Sequence, residues 1–304
     1  MANSVELHGV TKTFGQKVAV NSLDLAVPER SIYGFIGPNG SGKTTTLRLI
    51  LRIYQPDAGR VVVLGGDSGS VADDRLGYLP EERGLYKRMK ARAVIEYFAR
   101  LKGCYDCRPA IDEWLELLDA TSFADQRIDS LSKGMAQKIQ FITAVIAQPQ
   151  LVILDEPFAG LDPVNLELMT AGVRRLRERG ATIVFSTHDM HVAEQMCDTI
   201  LMIFEGRKVL DGTLSDIQRR YPVSRIRLRL ADGQSLPEPL PGVASCTPHQ
   251  RHCICTLAEG WQPQEVLRQL TAVRTIEHFE LLRPTLHDIF VEIAGPRSQE
   301  HGAE

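Results

Sequence analysis

The sequence predicts an α/β fold with a mostly parallel sheet, to which an antiparallel β subdomain, a helical subdomain and a small α+β C-terminal domain are added. Three short apolar segments, at residues 31–36, 151–154 and 181–186, are each followed by a segment of helical character. Apolar strands that alternate with helices are typical of parallel sheets buried on both faces. Residues 4–27 alternate between apolar and polar instead, and they account for the predicted antiparallel strands.

The same patterns predict the domain boundaries. Residues 88–150 are rich in helical segments and form the predicted helical subdomain. Because the composition changes after residue 219, we expect a first domain at residues 1–219. Strict alternation in RIRLRL begins a second set of strands and helices, which predicts an α+β domain at residues 222–295. The polar tail at residues 296–304 is expected to be disordered.

Bulk properties exclude several classes of protein. The net charge of −3 over 304 residues gives no reason to expect a nucleic-acid partner. We found neither a run of 18 apolar residues nor the layout of a signal peptide. The cysteines are few and scattered, so we expect a reducing, cytosolic compartment and no disulfide framework. They are Cys104, Cys107, Cys197, Cys246, Cys253 and Cys255.

A glycine-rich loop follows the apolar strand at residues 31–36. Its sequence, GPNGSGKT, fits the phosphate-binding pattern G-x-x-x-x-G-K-[ST]. Glycines let backbone N–H groups surround a phosphate, and the next helix presents its positive end to the same anion. We expect Lys43 to contact the β- and γ-phosphates and the Thr44 hydroxyl to bind Mg²⁺. The alternative, a plain glycine turn, is disfavoured by the flanking strand and helix. The predicted nucleotide contacts here are Gly37, Pro38, Asn39, Gly40, Ser41, Gly42, Lys43, Thr44 and Thr45.

An acidic pair ends the apolar strand LVIL. Beside a phosphate loop, Asp155 is expected to assist in binding Mg²⁺, and Glu156 to polarise the attacking water as general base. The segment LSKGM lies between the loop and this pair. On its residues alone, Ser132 is an N-cap at the start of a helix, and a helix start is also an anion site.

These motifs, followed by GLD and STHD, stand in the order found in ATP-binding cassette (ABC) ATPases, and the resemblance covers residues 5–219. It implies a P-loop NTPase fold and a homodimer that encloses MgATP between its subunits. Ser132 and Gly134 of one copy would then contact the γ-phosphate bound by the other copy. Met135 stands where the family usually has Gln.

The resemblance also implies individual roles. His188 resembles the switch histidine that contacts the γ-phosphate, which with Glu156 and Lys43 completes the expected catalytic set. Asp162 resembles the aspartate that couples the two sites, although a turn residue is the alternative. Phe14 resembles the aromatic that stacks on adenine, although a core aromatic is the alternative. Glu81 is an expected Mg²⁺ ligand and replaces the family's usual Gln, as in exporter-type members that carry PEERGLY.

The end of the chain, LRPTLHDIFVE at residues 282–292, resembles the closing segment of ATPases that serve ABC-2 type exporters. The resemblance implies a separately encoded membrane-spanning permease as partner, and a peripheral position at the cytoplasmic face of the inner (plasma) membrane. It does not identify a cargo. A non-transport ABC ATPase of translation or DNA repair is the alternative, and a P-loop kinase is a third.

Overall fold

The computed structural model describes residues 2–66, 74–82, 84–221, 223–231, 240–249 and 252–298. The chain divides into two compact units, Met1–Leu214 and Ser215–Glu304. The boundary lies five residues before residue 219, the predicted end of the first domain. Within the described residues, every helix is too short or too polar to cross a bilayer.

The first unit contains a central sheet, an antiparallel sheet and a set of helices. In chain order, its strands are β1 (Asn3–Phe14), β2 (Lys17–Pro28), β3 (Ile32–Ile36), β4 (Ala58–Val63), β5 (Leu76–Leu79), β6 (Leu151–Asp155), β7 (Thr182–Thr187), β8 (Thr199–Phe204) and β9 (Arg207–Gly212). Its helices are α1 (Lys43–Ile50), α2 (Ala91–Leu101), α3 (Arg108–Leu117), α4 (Lys133–Val145), α5 (Pro163–Glu178) and α6 (Met190–Met196).

The central sheet has the strand order β5-β6-β7-β3-β8-β9, in which the pairs from β5 to β8 are parallel and β9 is antiparallel to β8. This confirms the predicted mostly parallel sheet. Strands β3, β6 and β7 are buried along their whole length. Because side chains alternate along a strand, Val152 and Leu154 of β6 enter one core, and Leu151 and Ile153 enter the other.

The two cores lie on opposite faces of the central sheet. One is closed by the antiparallel sheet β2-β1-β4 together with α1. The other is closed by helices α2 to α5. There Trp114 of α3 and Phe141 of α4 meet edge to face at 5.8 Å. Gly172 lets α5 approach closely, since a Cβ at this position would lie 3.0 Å from Cε1 of Phe141.

The second unit is an α+β domain with an antiparallel sheet of order β11-β12-β10-β13. Its elements are α7 (Leu214–Arg219), which begins at the boundary, β10 (Arg225–Leu230), β11 (Val243–His249), β12 (His252–Leu257), α8 (Pro263–Val273), β13 (Ile276–Leu282) and α9 (Leu286–Ser298). Leu286 and Ile289 of α9 are buried, and Thr285 and Asp288 form a reciprocal cap at its start. Helix α9 extends beyond the predicted domain end at residue 295, and residues 299–304 of the predicted tail lie outside the described residues.

The alternation in β10 has the predicted consequence. Ile226 and Leu228 pack with α8, while the arginines between them lie on the opposite face, partly exposed. Each of these arginines forms an ion pair with a carboxylate. The pairs are Arg225–Asp288, Arg227–Glu280 and Arg229–Glu277. The face is therefore a partly solvated, charge-balanced surface.

The expectation that the cysteines form no disulfide framework is wrong for one pair. Cys246 of β11 and Cys255 of β12 form a disulfide, because the register of the hairpin sets them directly opposite each other with 4.1 Å between their Cα atoms. Cys255 is also buried in the core of the second unit, as a packing residue would be. Cys104, Cys107, Cys197 and Cys253 are free.

We predict that the contact between α3 and α4 stabilises the helical part of the first unit. Phe141→Ala should lower the free energy of unfolding by about 3–5 kcal/mol, because it empties a buried ring site. Urea unfolding of the full chain measures this loss. Tyr105→Ala is the matched control, since Tyr105 is 78% exposed, and equal losses in the two variants would contradict the packing described above.

Candidate active site

The glycine-rich loop connects β3 to α1 in a conformation that only glycine adopts without strain. Gly42 has φ 110°, and a Cβ at this position would lie 2.4 Å from the carbonyl oxygen of Ala19. A Cβ at Gly37, with φ 151°, would lie 2.2 Å from the carbonyl oxygen of Ile203. Helix α1 begins immediately after the loop, at Lys43. The loop therefore presents backbone N–H groups and a helix N-terminus, which together attract an anion.

Lys43 is folded back over this loop. Its side chain is 6% exposed, and Nζ donates hydrogen bonds to the carbonyl oxygens of Gly37 at 2.8 Å and Pro38 at 3.2 Å. The same Nζ atom lies 3.6 Å from Oε1 of Glu156. The ammonium group is thus held at the loop by two neutral acceptors and one carboxylate.

Asp155 ends β6 and is completely buried. Its Oδ1 atom accepts hydrogen bonds from the hydroxyls of Ser186 at 2.6 Å and Thr44 at 3.2 Å. Its Oδ2 atom has no hydrogen-bond partner among the described residues. A buried carboxylate oxygen without a partner is costly in a folded protein, so Asp155 has the geometry of a residue that binds a cation or a polar ligand.

Glu156 follows Asp155 in a strained backbone conformation, with φ 49°. Its backbone N–H donates to the hydroxyl of Ser186 at 2.9 Å, and Oε2 lies 3.0 Å from Nδ1 of His188. Burial raises the pKa of the Glu156 carboxyl, while His188 and Lys43 oppose this rise. The His188 side chain is 57% exposed, so its ring is open to a ligand while it contacts Glu156.

Ser186 is the site residue that the sequence analysis missed. It bonds both members of the acidic pair, through Oδ1 of Asp155 and the backbone N–H of Glu156. The position of Ser186 near the end of β7 could have indicated this role, because the parallel register of β6 and β7 pairs Ser186 with Asp155. That register follows only once the strand order is known.

One open cleft of about 420 Å³ brings most of the predicted residues together. Phe14 and Glu81 both line it, although they are far from the loop in sequence. Its lining residues are Phe14, Lys17, Ala19, Asn39, Gly40, Gly42, Lys43, Thr44, Thr45, Glu81 and Glu156.

Ser132, Gly134 and Asp162 are not among the described residues that line this cleft. Ser132 caps α4 by accepting from the backbone N–H of Met135 at 3.3 Å, as the sequence analysis expected. Asp162 caps α5 by accepting from the backbone N–H of Asn165 at 2.9 Å. The two helix starts are neighbours, since a Cβ at Gly134 would lie 3.3 Å from Nδ2 of Asn165.

Helix α4 also contacts the segment around Glu81. Gln140 is buried, and its Nε2 atom donates to the carbonyl oxygens of Pro80 at 3.2 Å and Glu82 at 3.1 Å. These two carbonyls flank Glu81 in sequence. Helix α4 therefore connects the helix start at Ser132 with a residue of the cleft.

Comparison with known proteins is consistent with this geometry. The sequence model of the ABC transporter family matches residues 20–159, and a model described as the C-terminal domain of DrrA1-3-like ATP-binding proteins matches residues 212–294. The uncharacterized ABC transporter ATP-binding protein YhaQ of Bacillus subtilis (strain 168) is 40% identical over 94% of this chain and 97% of its own length. The chain belongs to the ATP-binding proteins of ABC transporters.

Other relatives and solved structures agree. The Nod factor export ATP-binding protein I of Rhizobium sp. (strain N33) is 32% identical, over 96% of this chain and 97% of its own length. An ATP-binding subunit of an ABC transporter has a TM-score of 0.66 and 27% identity, over 71% of this chain and 92% of its own. A dimeric ATP-binding cassette in a post-hydrolysis state, bound to ADP and phosphate, has a TM-score of 0.63 and 25% identity, over 69% of this chain and 98% of its own. The predicted P-loop NTPase fold and the predicted ATPase activity are confirmed.

We predict that the acid side of the pH–activity profile of this ABC ATPase reports the titration of the Glu156 carboxyl. Burial raises its pKa, so activity that needs the carboxylate should fall, as pH is lowered, at a pH above the ordinary range of glutamate. His188 favours the charged form, so His188→Ala should move this side of the profile to still higher pH while it lowers kcat. Full pH profiles of both proteins with the same MgATP substrate measure the shift. If the midpoint of the acid side is the same in both proteins, the proposed electrostatic effect of His188 on Glu156 is wrong.

Proposed function

We propose that the chain is the ATP-hydrolysing subunit of an exporter-type ABC transporter, and that it works as a homodimer with MgATP between the subunits. The observation that carries this proposal is that Ser132 and Asp162 lie at the starts of α4 and α5, apart from the residues that line the cleft. The cleft contains the phosphate loop, Glu81 and Glu156, whereas Ser132, Gly134 and Asp162 are not among its described lining residues.

The loop residues and the N-terminus of α1 bind the phosphates, and Lys43 moves its ammonium group from loop carbonyls to the β- and γ-phosphate oxygens. Phe14, which also lines the cleft, stacks on the adenine. Its ring is 44% exposed and so presents apolar surface to a base. Lys43 and Phe14 thus bind the two ends of the nucleotide.

Oxygen atoms of this site fit Mg²⁺. The Thr44 hydroxyl, the unpartnered Oδ2 atom of Asp155 and the Glu81 carboxylate are hard donors of the kind Mg²⁺ prefers, and Mg²⁺ usually takes its remaining ligands from phosphates and water. Bound there, Mg²⁺ neutralises charge on the β- and γ-phosphates. Glu81, in place of the family's usual Gln, adds a negative charge, which favours the cation and disfavours the free nucleotide.

Glu156 acts as general base on the attacking water. Its raised pKa brings the carboxylate closer to the pH at which proton transfer is efficient, and His188 holds its Oε2 atom at 3.0 Å. The exposed ring of His188 contacts the γ-phosphate. Most of the rate enhancement comes from fixed donors and charges that are aimed at the phosphoryl group.

The helix start at Ser132 completes the site of the partner copy. Ser132 and Gly134 present backbone N–H groups and the positive end of α4 to the γ-phosphate bound by that copy. Asp162, whose turn adjoins Gly134 through Asn165, links the two sites. Gln140 passes movement of α4 to the backbone on both sides of Glu81.

A second cleft, of about 520 Å³, is the proposed docking site for the permease. It lies between β5, α2 and α4 and is lined by apolar side chains that include Leu85, Phe98 and Leu101. Tyr86 and Tyr97 form an exposed aromatic cluster with Phe98. An apolar groove rimmed by aromatics suits a short amphipathic helix. We place the chain at the cytoplasmic face of the inner membrane, bound to a separately encoded membrane-spanning permease and to no nucleic acid.

The exporter assignment is supported by the match of residues 212–294 and by the relatives named for Nod factor export. No feature of the described residues favours the alternative, an ABC ATPase of translation or DNA repair.

We predict that Glu156→Gln binds ATP but hydrolyses it on the order of 10²- to 10⁴-fold more slowly, because the general base is lost. The ATP-bound form should persist as a dimer, which light scattering with and without MgATP detects. Lys43→Ala is the control that should lose ATP affinity in a nucleotide titration, and so should not form this dimer. Normal turnover by Glu156→Gln would refute the general-base assignment.

We also predict that Ser132→Arg in the Glu156→Gln background abolishes the ATP-dependent dimer without loss of ATP binding to the monomer. The added side chain blocks the helix start that faces the partner's γ-phosphate. Ser130→Arg is the matched control, because Ser130 is an exposed neighbour with no proposed role in the site. A dimer that survives Ser132→Arg unchanged would count against the contribution in trans.

A further inference from the structure

Phe14 lies at the end of β1, beside the two-residue turn to β2, and much of its ring is exposed. An exposed side chain at a strand end has few packing neighbours to fix its orientation. Tyr54 is an aromatic neighbour that fixes the orientation of the Phe14 ring. Its ring centroid lies 5.2 Å from that of Phe14, with 70° between the ring planes. This is a favourable edge-to-face arrangement, which leaves ring surface of Phe14 free for a base.

Tyr54 is in turn fixed to α1. The Arg48 guanidinium donates through Nη1 to the Tyr54 hydroxyl at 3.1 Å, and its Cζ atom lies 5.8 Å from the Tyr54 ring centroid. The backbone N–H of Tyr54 donates to the carbonyl oxygen of Arg48 at 3.2 Å. The position of the Tyr54 ring is therefore set by α1, the helix that begins at Lys43.

Asp57 holds the strand of Phe14 from the same segment. It accepts from the backbone N–H of Thr13 at 2.6 Å and from Nζ of Lys12 at 2.8 Å. The Lys12 Nζ atom also lies 5.6 Å from the Phe14 ring centroid. The hydrogen bond from Lys12 lowers the pKa of Asp57, so this acceptor is ionised at neutral pH. Residues 54–57 thus hold both the Phe14 ring and its backbone.

We propose that Tyr54 is a positioning residue of the nucleotide site, which holds the Phe14 ring in the orientation that stacks on a purine base. Arg48 and Asp57 tie this arrangement to α1, so the group that contacts the base and the loop that contacts the phosphates keep a fixed separation. The inference rests on the proposed role of Phe14.

Contacts to the base and contacts to the phosphates can be tested separately. If Tyr54 acts only through Phe14, its loss weakens binding of a nucleotide and leaves binding of a ligand without a base unchanged. A purely structural role would disturb α1 and the loop, and would weaken both ligands. Magnesium tripolyphosphate is a suitable ligand without a base, because it offers the phosphate chain of ATP alone.

The test measures the affinity of the full-length chain for MgATP and for magnesium tripolyphosphate by calorimetry. Tyr54→Leu should weaken MgATP binding roughly five- to tenfold, the scale of a lost base–aromatic contact, and leave tripolyphosphate affinity unchanged. Tyr54→Phe keeps the ring and loses the bond to Arg48, so its loss should be smaller. Tyr105→Leu is the control at an exposed tyrosine outside the cleft and should bind both ligands normally.

Two further variants distinguish the possible failures. Phe14→Leu should weaken MgATP binding at least as much as Tyr54→Leu, and the double variant should be no weaker than Phe14→Leu alone. If Phe14→Leu binds MgATP normally, the base-stacking role of Phe14 is wrong, and the inference falls with it. If Phe14→Leu weakens binding but Tyr54→Leu does not, or if Tyr54→Leu weakens both ligands equally, the inference alone is overturned.

Discussion

Three charged side chains are buried at the carboxyl edge of the central sheet, and the rest of the site depends on how they are satisfied. Lys43, Asp155 and Glu156 are at most 7% exposed. Buried charges cost several kcal/mol each unless they are paired and hydrogen-bonded. Lys43 is paired with loop carbonyls and with Glu156, and Asp155 is paired with Ser186. The contacts of the two carboxylates require β3, β6 and β7 to lie in register.

What remains unsatisfied points to the ligand. Oδ2 of Asp155 and the hydroxyl of Ser41, a loop residue, are buried without hydrogen-bond partners among the described residues. Other residues of the same loop line an open cleft. On our proposal, this site is completed by MgATP and by the Ser132 helix start of a second copy. On the same proposal, α4 couples the two sites, since Gln140 connects this helix to the backbone around Glu81.

The sequence predicted the features that are local in the chain. The loop and the acidic pair follow from short patterns, and strands buried on both faces appear as continuous apolar runs. Non-local features were missed. Strand β11 is almost wholly exposed and has no apolar alternation, so neither the strand nor the Cys246–Cys255 bond that depends on its register could be predicted. The contact of Ser186 with Asp155, and that of Tyr54 with Phe14, likewise needed the strand order and the path of the chain after α1.

The central claim, that each ATP site is shared between two copies, is tested most directly by mixing two inactive chains. One carries Lys43→Ala, which disables its phosphate loop, and the other carries Ser132→Arg, which disables its helix start. A shared site predicts that the mixture regains ATP hydrolysis, because the heterodimer contains one site built from an intact loop and an intact helix start. A mixture that stays as inactive as either chain alone, with heterodimers present, would contradict the account.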